Sequence, residues 1–244
     1  MHDAASNTSS QQRLRCTQCL RPQSTCICKW VTPIASSVEL LLLQHPLEVG
    51  NAKGTAQLLH LCLPNSHLIV GERFDDAALQ TWLFQPFADI NDNKNAVEIY
   101  PILLYPQSAH QSDNLETVQN KEINQLTNGA GKEEIKEVAN ESNAERRYRL
   151  IVLDGTWRKS RKMLALNPLL QQLPRLALHN PPISHYTIRK AHRPEQLSSF
   201  EASCLALMQL EKNSEKFRPL LTAFDGFITQ QQSYISAAQS PKEK

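Results

Sequence analysis

Unbroken apolar runs alternate along this chain with segments whose apolar residues recur every three or four positions. Val38 to Gln44 carries four consecutive leucines. That is the length of a strand and the pattern of one buried on both faces, as in a parallel sheet. Residues 52–63, AKGTAQLLHLCL, place apolar positions at helical spacing and stop at Pro64. His67–Val70 predicts a second strand, Asp75–Phe84 a helix, and Tyr100–Tyr105 a third short strand among the prolines at 101 and 106. Arg149–Leu153 predicts a fourth, followed by a helix and by a last extended stretch, Arg175–His179. A helix over about Pro194–Leu210 and an apolar segment through Phe217–Tyr234 close the pattern. Strands alternating with helices argue for an α/β fold, a sheet flanked by helices.

The pattern breaks in three places. Residues 1–12 are rich in Ser, Asn and Gln and read as disordered, having almost nothing to bury. Residues 13–33 form a cysteine-rich knuckle. Residues 107–146 are polar and acidic, with an Asn-Gly turn signal at 128–129; so long a stretch reads as a flexible insertion, with a short helix near Lys132–Val138. The main domain is expected over 34–240. At 244 residues, the chain holds one sizeable α/β domain plus appendages. No apolar run approaches the ~20 residues of a membrane span, and the polar N-terminus lacks the apolar core of a signal peptide. A cytoplasmic protein without a membrane partner is expected, and no obligate protein partner is evident.

A net charge of only +2 hides an uneven distribution. Residues 145–193 carry 11 Lys/Arg against 2 acidic residues, an excess of 9; residues 107–144 carry 3 Lys against 7 Asp/Glu, or −4. A basic segment of this density is the footprint of a polyanion partner, or simply a solvated face.

Cys16, Cys19, Cys26 and Cys28 stand in a C-x2-C-x6-C-x-C arrangement. Four thiolates on loops this short suit a tetrahedral Zn²⁺ with every position filled, hence a structural rather than a catalytic site. An iron–sulfur cluster would also accept four cysteines, while disulfides do not suit a reducing cytosol. Cys62 and Cys204 fall on apolar helical patterns and read as packing residues.

Candidate chemistry gathers where an α/β sheet places its ligands, at the C-terminal ends of strands. After the first strand come His45, Glu48, Asn51 and Thr55, the last two also plausible helix caps. After the fourth come Asp154, Gly155, Thr156 and Trp157: a carboxylate, a residue permitting close approach, a helix cap, and a flat ring for stacking on a base. Arg158, Lys159, Arg161 and Lys162 then fill the first turns of a helix, where the dipole disfavours cations, which suggests an external anion such as phosphate. Residues 185–202 mix Tyr186, Arg189 and Lys190 with Ser198, Ser199 and Glu201; the serines and glutamate also read as a helix start. Neither G-x-G-x-x-G nor G-x-x-x-x-G-K-[ST] occurs, so phosphate cradling of those types is not supported. Nor does a G-x-S-x-G elbow appear.

Taken together, the four-Cys knuckle, QHPLE, D-G-T-W after a strand, and YTIRK followed by LSSFEA resemble the DTW-domain family of tRNA-uridine aminocarboxypropyltransferases. The resemblance covers about residues 14–230 apart from the 107–146 stretch. It implies a SPOUT-like parallel sheet flanked by helices, with a C-terminal knot. It also implies a reaction: the 3-amino-3-carboxypropyl group of S-adenosylmethionine moves to N3 of a tRNA uridine, in bacterial members a variable-loop uridine, leaving methylthioadenosine. Asp154 is expected as general base, with Glu201 in reserve. Thr156, Trp157, Ser198, Ser199, Glu201, His45 and Glu48 are expected around S-adenosylmethionine or the target base. Arg158, Lys159, Arg161, Tyr186, Arg189 and Lys190 are expected to meet tRNA or, for the cations, the cofactor carboxylate. Two other readings remain open at this point, a zinc-containing RNA-binding protein without catalysis and a SPOUT-like RNA methyltransferase, which would release S-adenosylhomocysteine instead.

Overall fold

The computed structural model describes residues 14–87, 97–106, 145–178, 181–186, 188 and 197–239. The expectations for residues 1–12, for a flexible insertion over 107–144 with a helix at Lys132–Val138, and for Arg189 and Lys190 lie outside these; residues 145 and 146, expected at the end of the insertion, begin a strand instead.

Five parallel strands form one sheet among the described residues: β1 (Glu39–Gln44), β2 (Ser66–Val70), β3 (Val97–Leu104), β4 (Glu145–Asp154) and β5 (Arg175–Leu176), in the order β2-β1-β4-β3-β5. The apolar runs occupy the centre, where both faces are covered. Leu40, Leu42, Leu150, Val152 and Ile102 point to one layer of helices, α1 (Ala56–Cys62), α5 (Ser199–Leu210) and α6 (Ser214–Gln239). Leu41, Leu43, Ile151, Leu153 and Leu103 point to the other, α2 (Asp76–Phe84), α3 (Trp157–Leu166) and α4 (Pro168–Gln171). Alternation of side chains along each strand thus divides one run of leucines between two cores. Cys62 and Cys204 are fully buried in the first, as their patterns predict.

Caps fix where the helices start. The Asp75 carboxylate accepts from Ala78 N at 3.0 Å, Thr156 Oγ1 from Lys159 N at 3.4 Å, and Ser198 with Glu201 makes a reciprocal capping box. That box sets the start of α5 at Ser199, later than the Pro194 suggested by apolar spacing. Likewise α1 begins at Ala56 rather than residue 52, because Asn51 Oδ1 accepts from Lys53 N and holds the preceding residues in a turn. The final extended stretch is shorter than expected, pairing with β3 only at Arg175 and Leu176, whereas β4 is longer and begins at Glu145.

The order 2-1-4-3-5 differs from the doubly wound orders 3-2-1-4-5-6 and 2-1-3-4-5. β4 enters between β1 and β3 and makes them non-neighbours. From the paired β1 and β4 the chain departs in opposite directions, β1 towards β2 through α1 on one face, β4 towards β5 through α3 on the other. Divergence of this kind opens a crevice at the strands' C-terminal ends. At the N-terminal end of β1, beside the middle of β4, fully buried Arg149 pairs with Glu39 and donates to Trp82 O.

The knuckle lies against α6. Gln230 Nε2 donates to Cys26 O at 3.0 Å, Trp30 Nε1 donates to Gln230 Oε1, and Tyr234 OH donates to Ser24 O at 2.9 Å. Gly226 leaves room for the Trp30 ring, which an added Cβ would meet at 2.3 Å.

Candidate active site at the β1–β4 crevice

Register places Gln44 of β1 directly beside Asp154 of β4. Gln44 Nε2 donates to Asp154 Oδ2 at 3.0 Å, and His45 N donates to Asp154 O at 3.0 Å. Both side chains of the Gln44–Asp154 pair are buried. A carboxylate at the C-terminal end of β4 is thereby fixed in orientation by an uncharged neighbour. At Gly155 an added Cβ would crowd Lys159 Cβ at 3.1 Å, with His45 Cβ in ordinary contact at 3.5 Å, so the lack of a side chain eases the packing of the helix start on the strand.

His45 turns the chain out of β1. Its Nδ1 accepts from Leu47 N at 3.1 Å, which leaves Nε2 as the donor to Glu72 Oε1 at 2.9 Å. Glu72 also receives Lys162 Nζ at 2.9 Å, and these two donors, Lys162 foremost, hold its carboxyl below the usual range. Asn167 positions this side of the crevice: it donates to Glu72 O at 2.9 Å and accepts from Phe74 N at 2.9 Å. On the other side, buried Glu48 accepts from Lys159 Nζ at 2.8 Å and from Asn51 Nδ2 at 3.1 Å. Two of the four cations in the first turns of α3 therefore have internal carboxylate partners, contrary to the purely external anion suggested by the sequence. Arg158 and Arg161 face solvent.

Trp157 is 44% exposed and meets the Tyr105 ring edge-on, centroids 5.9 Å apart. Burial raises the Tyr105 hydroxyl above its usual pKa, so it remains a donor across the physiological range. Thr156 is exposed at the cap of α3.

The remaining expected residues make contacts of their own. Ser198 and Glu201 are buried at the start of α5, where the Glu201 carboxylate accepts from Ser198 N, Ser198 Oγ, Ser184 Oγ and His185 N at 2.8–3.1 Å. That is a loop clamp, and Ser199 lies beside it with its carbonyl accepting from Ser203 Oγ. Tyr186, expected at the tRNA surface, is 7% exposed and tilted against Phe224, its hydroxyl donating to Lys53 O. It cannot offer a face to a base. It does help hold the 45–55 loop, together with Arg21, whose guanidinium donates to Ala52 O at 2.8 Å and Gly54 O at 2.7 Å. The knuckle is thus tied to the loop that carries Glu48.

The four knuckle cysteines converge. Cys16 and Cys28 Sγ lie 3.6 Å apart, Cys19 and Cys26 Sγ 3.7 Å, and all four sulfurs lie within 4.8 Å of one another. Tetrahedral thiolates ~2.3 Å from a Zn²⁺ stand about 3.8 Å apart, so the set fits a metal ion. Backbone amides, that of Cys19 first, lower the Cys16 thiol to about 6, favouring its thiolate.

A family model, the DTW domain, matches residues 13–232. The chain belongs to the DTW-domain family. Relatives of this DTW chain carry the name tRNA-uridine aminocarboxypropyltransferase 2. The mouse protein is 26% identical over 84% of the chain and 59% of its own length. That of Macaca fascicularis is 25% identical over 96% and 69%, and that of Drosophila melanogaster 28% identical over 86% and 74%. The chain therefore spans under two thirds of the mouse relative. No solved structure matches.

Of the residues that contact the expected site residues, the sequence missed Glu72, which meets His45, and Tyr105, which meets Trp157. Both directly follow strands, Glu72 two residues after Val70 and Tyr105 immediately after Leu104, the rule that found His45.

Proposed function

We propose that this DTW chain transfers the 3-amino-3-carboxypropyl group of S-adenosylmethionine to N3 of a tRNA uridine, in the variable loop, and releases methylthioadenosine. The observation that carries it is Asp154, a buried carboxylate held by Gln44 at the C-terminal end of β4, in a family whose relatives bear that activity in their name. We read the fold as SPOUT-like with a C-terminal knot; the parallel sheet and its order, which is not a doubly wound one, support the sheet part of that reading.

Bound S-adenosylmethionine supplies a sulfonium flanked by three electrophilic carbons. Attack on one rather than another depends on which carbon lies in line with the nucleophile, so positioning decides the product. As the N3–carbon bond forms, the carbon–sulfur bond breaks and its electron pair stays on sulfur. The N3 proton passes to Asp154, which Gln44 orients. Trp157 and Tyr105 offer a stacking surface for a base drawn out of its helix. Arg158 and Arg161, with Arg189 and Lys190, meet tRNA phosphates. The knuckle holds a structural Zn²⁺ that supports the 45–55 loop through Arg21. A tRNA partner in the cytoplasm follows from this reading.

Mass spectrometry of purified protein with S-adenosylmethionine and unmodified tRNA tests it. Methylthioadenosine with an aminocarboxypropyl gain on uridine is expected. S-adenosylhomocysteine would make the chain a methyltransferase, and no product across a full set of tRNAs would leave an RNA-binding protein.

A further inference from the structure

The Glu48–Lys159 ion pair joins the two arms of the crevice. Glu48 lies on the loop after β1, and Lys159 in the first turn of the helix after β4. The Glu48 side chain is 3% exposed and the Lys159 side chain 23%. A carboxylate so deeply buried needs a cation or several donors facing it. The cation present comes from a helix position that disfavours positive charge. Lys159 also packs against Gly155, the residue next to Asp154.

Resting on the reaction proposed above, we infer that this pair opens to grip the zwitterionic end of S-adenosylmethionine, Glu48 taking its ammonium and Lys159 its carboxylate. The ligand's two charges match the pair's in opposite sense, so inserting it replaces one ion pair by two. Asn51, which donates to Glu48 Oε2 at 3.1 Å, keeps the carboxylate in place throughout. The transferred group carries both charges on one carbon. Holding them at the crevice wall fixes the chain of carbons that leads to the sulfonium, which favours transfer of the aminocarboxypropyl group over the methyl.

Binding of three ligands tests this by calorimetry. Decarboxylated S-adenosylmethionine keeps the amine and lacks the carboxylate; methylthioadenosine lacks both. Lys159→Met is expected to weaken S-adenosylmethionine by about tenfold to a hundredfold relative to decarboxylated S-adenosylmethionine, the span of one charge-assisted contact; the decarboxylated ligand, no longer competing with Lys159 for Glu48, should bind at least as tightly as to the wild type, and methylthioadenosine should be unchanged. Glu48→Gln is expected to weaken both amine-bearing ligands and spare methylthioadenosine. Retained methylthioadenosine binding shows in each case that the variant is folded. If Lys159→Met binds all three as the wild type does, or weakens all three alike, the inference is overturned. If the wild type binds none of the three, the reaction it rests on falls first, and this with it.

Discussion

Replacing Arg149 by Met should unfold the protein more readily without touching its chemistry. Arg149 is fully buried; its Nε donates to Glu39 Oε2 at 2.8 Å, its Nη1 donates to Trp82 O, and its guanidinium stacks 3.8 Å from the Phe87 ring centroid. Met replaces the apolar stem and leaves Glu39, with a side chain 5% exposed, with the more distant Arg147 at 3.7 Å as its remaining ion pair among the described residues. Stranding one member of a buried pair costs roughly 3–5 kcal/mol. Residual attraction to Arg147 puts the expected loss near the lower figure, about 3 kcal/mol. For a chain of this size that lowers Tm by about 6–12 °C. Removing the stranded charge as well, in Glu39→Met with Arg149→Met, should return stability to within about 1 kcal/mol of wild type, since apolar replacements of whole buried pairs are often neutral. Urea and thermal melts of the four members of this cycle measure it. Turnover of the folded fraction should be unchanged, because Glu39 and Arg149 pair five residues before Gln44 and Asp154, about 16 Å along the strands. A single variant losing under about 1 kcal/mol, or a double variant as damaged as the single, would refute the argument.

Other consequences are open to measurement. Chelation or Cys19→Ser should lower Tm and change Trp30 fluorescence, with chelation reversed by Zn²⁺ and one Zn²⁺ per chain found by elemental analysis; a metal-free chain of equal stability would contradict the structural role. Gly226→Ala should cost about 1–3 kcal/mol by overpacking against Trp30, measured by urea denaturation. Burial, foremost, holds both His60 and His67 below their usual pKa. The unfolded chain therefore takes up protons first as pH falls through about 6.5, and stability should drop from there down to the lower folded values. Melts at stepped pH, with His60→Gln flattening the decline, check the sign; stability rising in that window would reverse it.

Much of this architecture is legible in the chain because it is local. Four consecutive leucines mark β1, Asp75 and Ser198 mark helix starts, and the close spacing of Cys16, Cys19, Cys26 and Cys28 implies the convergence of their sulfurs. Strand order is different: β4 lies between β1 and β3 through pairings that no local pattern encodes. For the same reason Lys159 and Lys162 look like cations awaiting phosphate, when Glu48 and Glu72 reach them from distant loops. Tyr186 misleads in the opposite way. Its polar neighbours suggest a surface, but its ring covers Phe224 and its hydroxyl ends on Lys53 O. Glu201 reads equally as a ligand or a cap, and its four donors belong to the cap and the adjoining loop.

The account stands most directly on Asp154. A single-turnover measurement with Asp154→Asn, saturating S-adenosylmethionine and unmodified tRNA tests it. The variant should melt like the wild type, retain its metal and bind both substrates, yet form no methylthioadenosine on the timescale of wild-type turnover. Product formed at the wild-type rate would show that the carboxylate at the β1–β4 crevice is not the base.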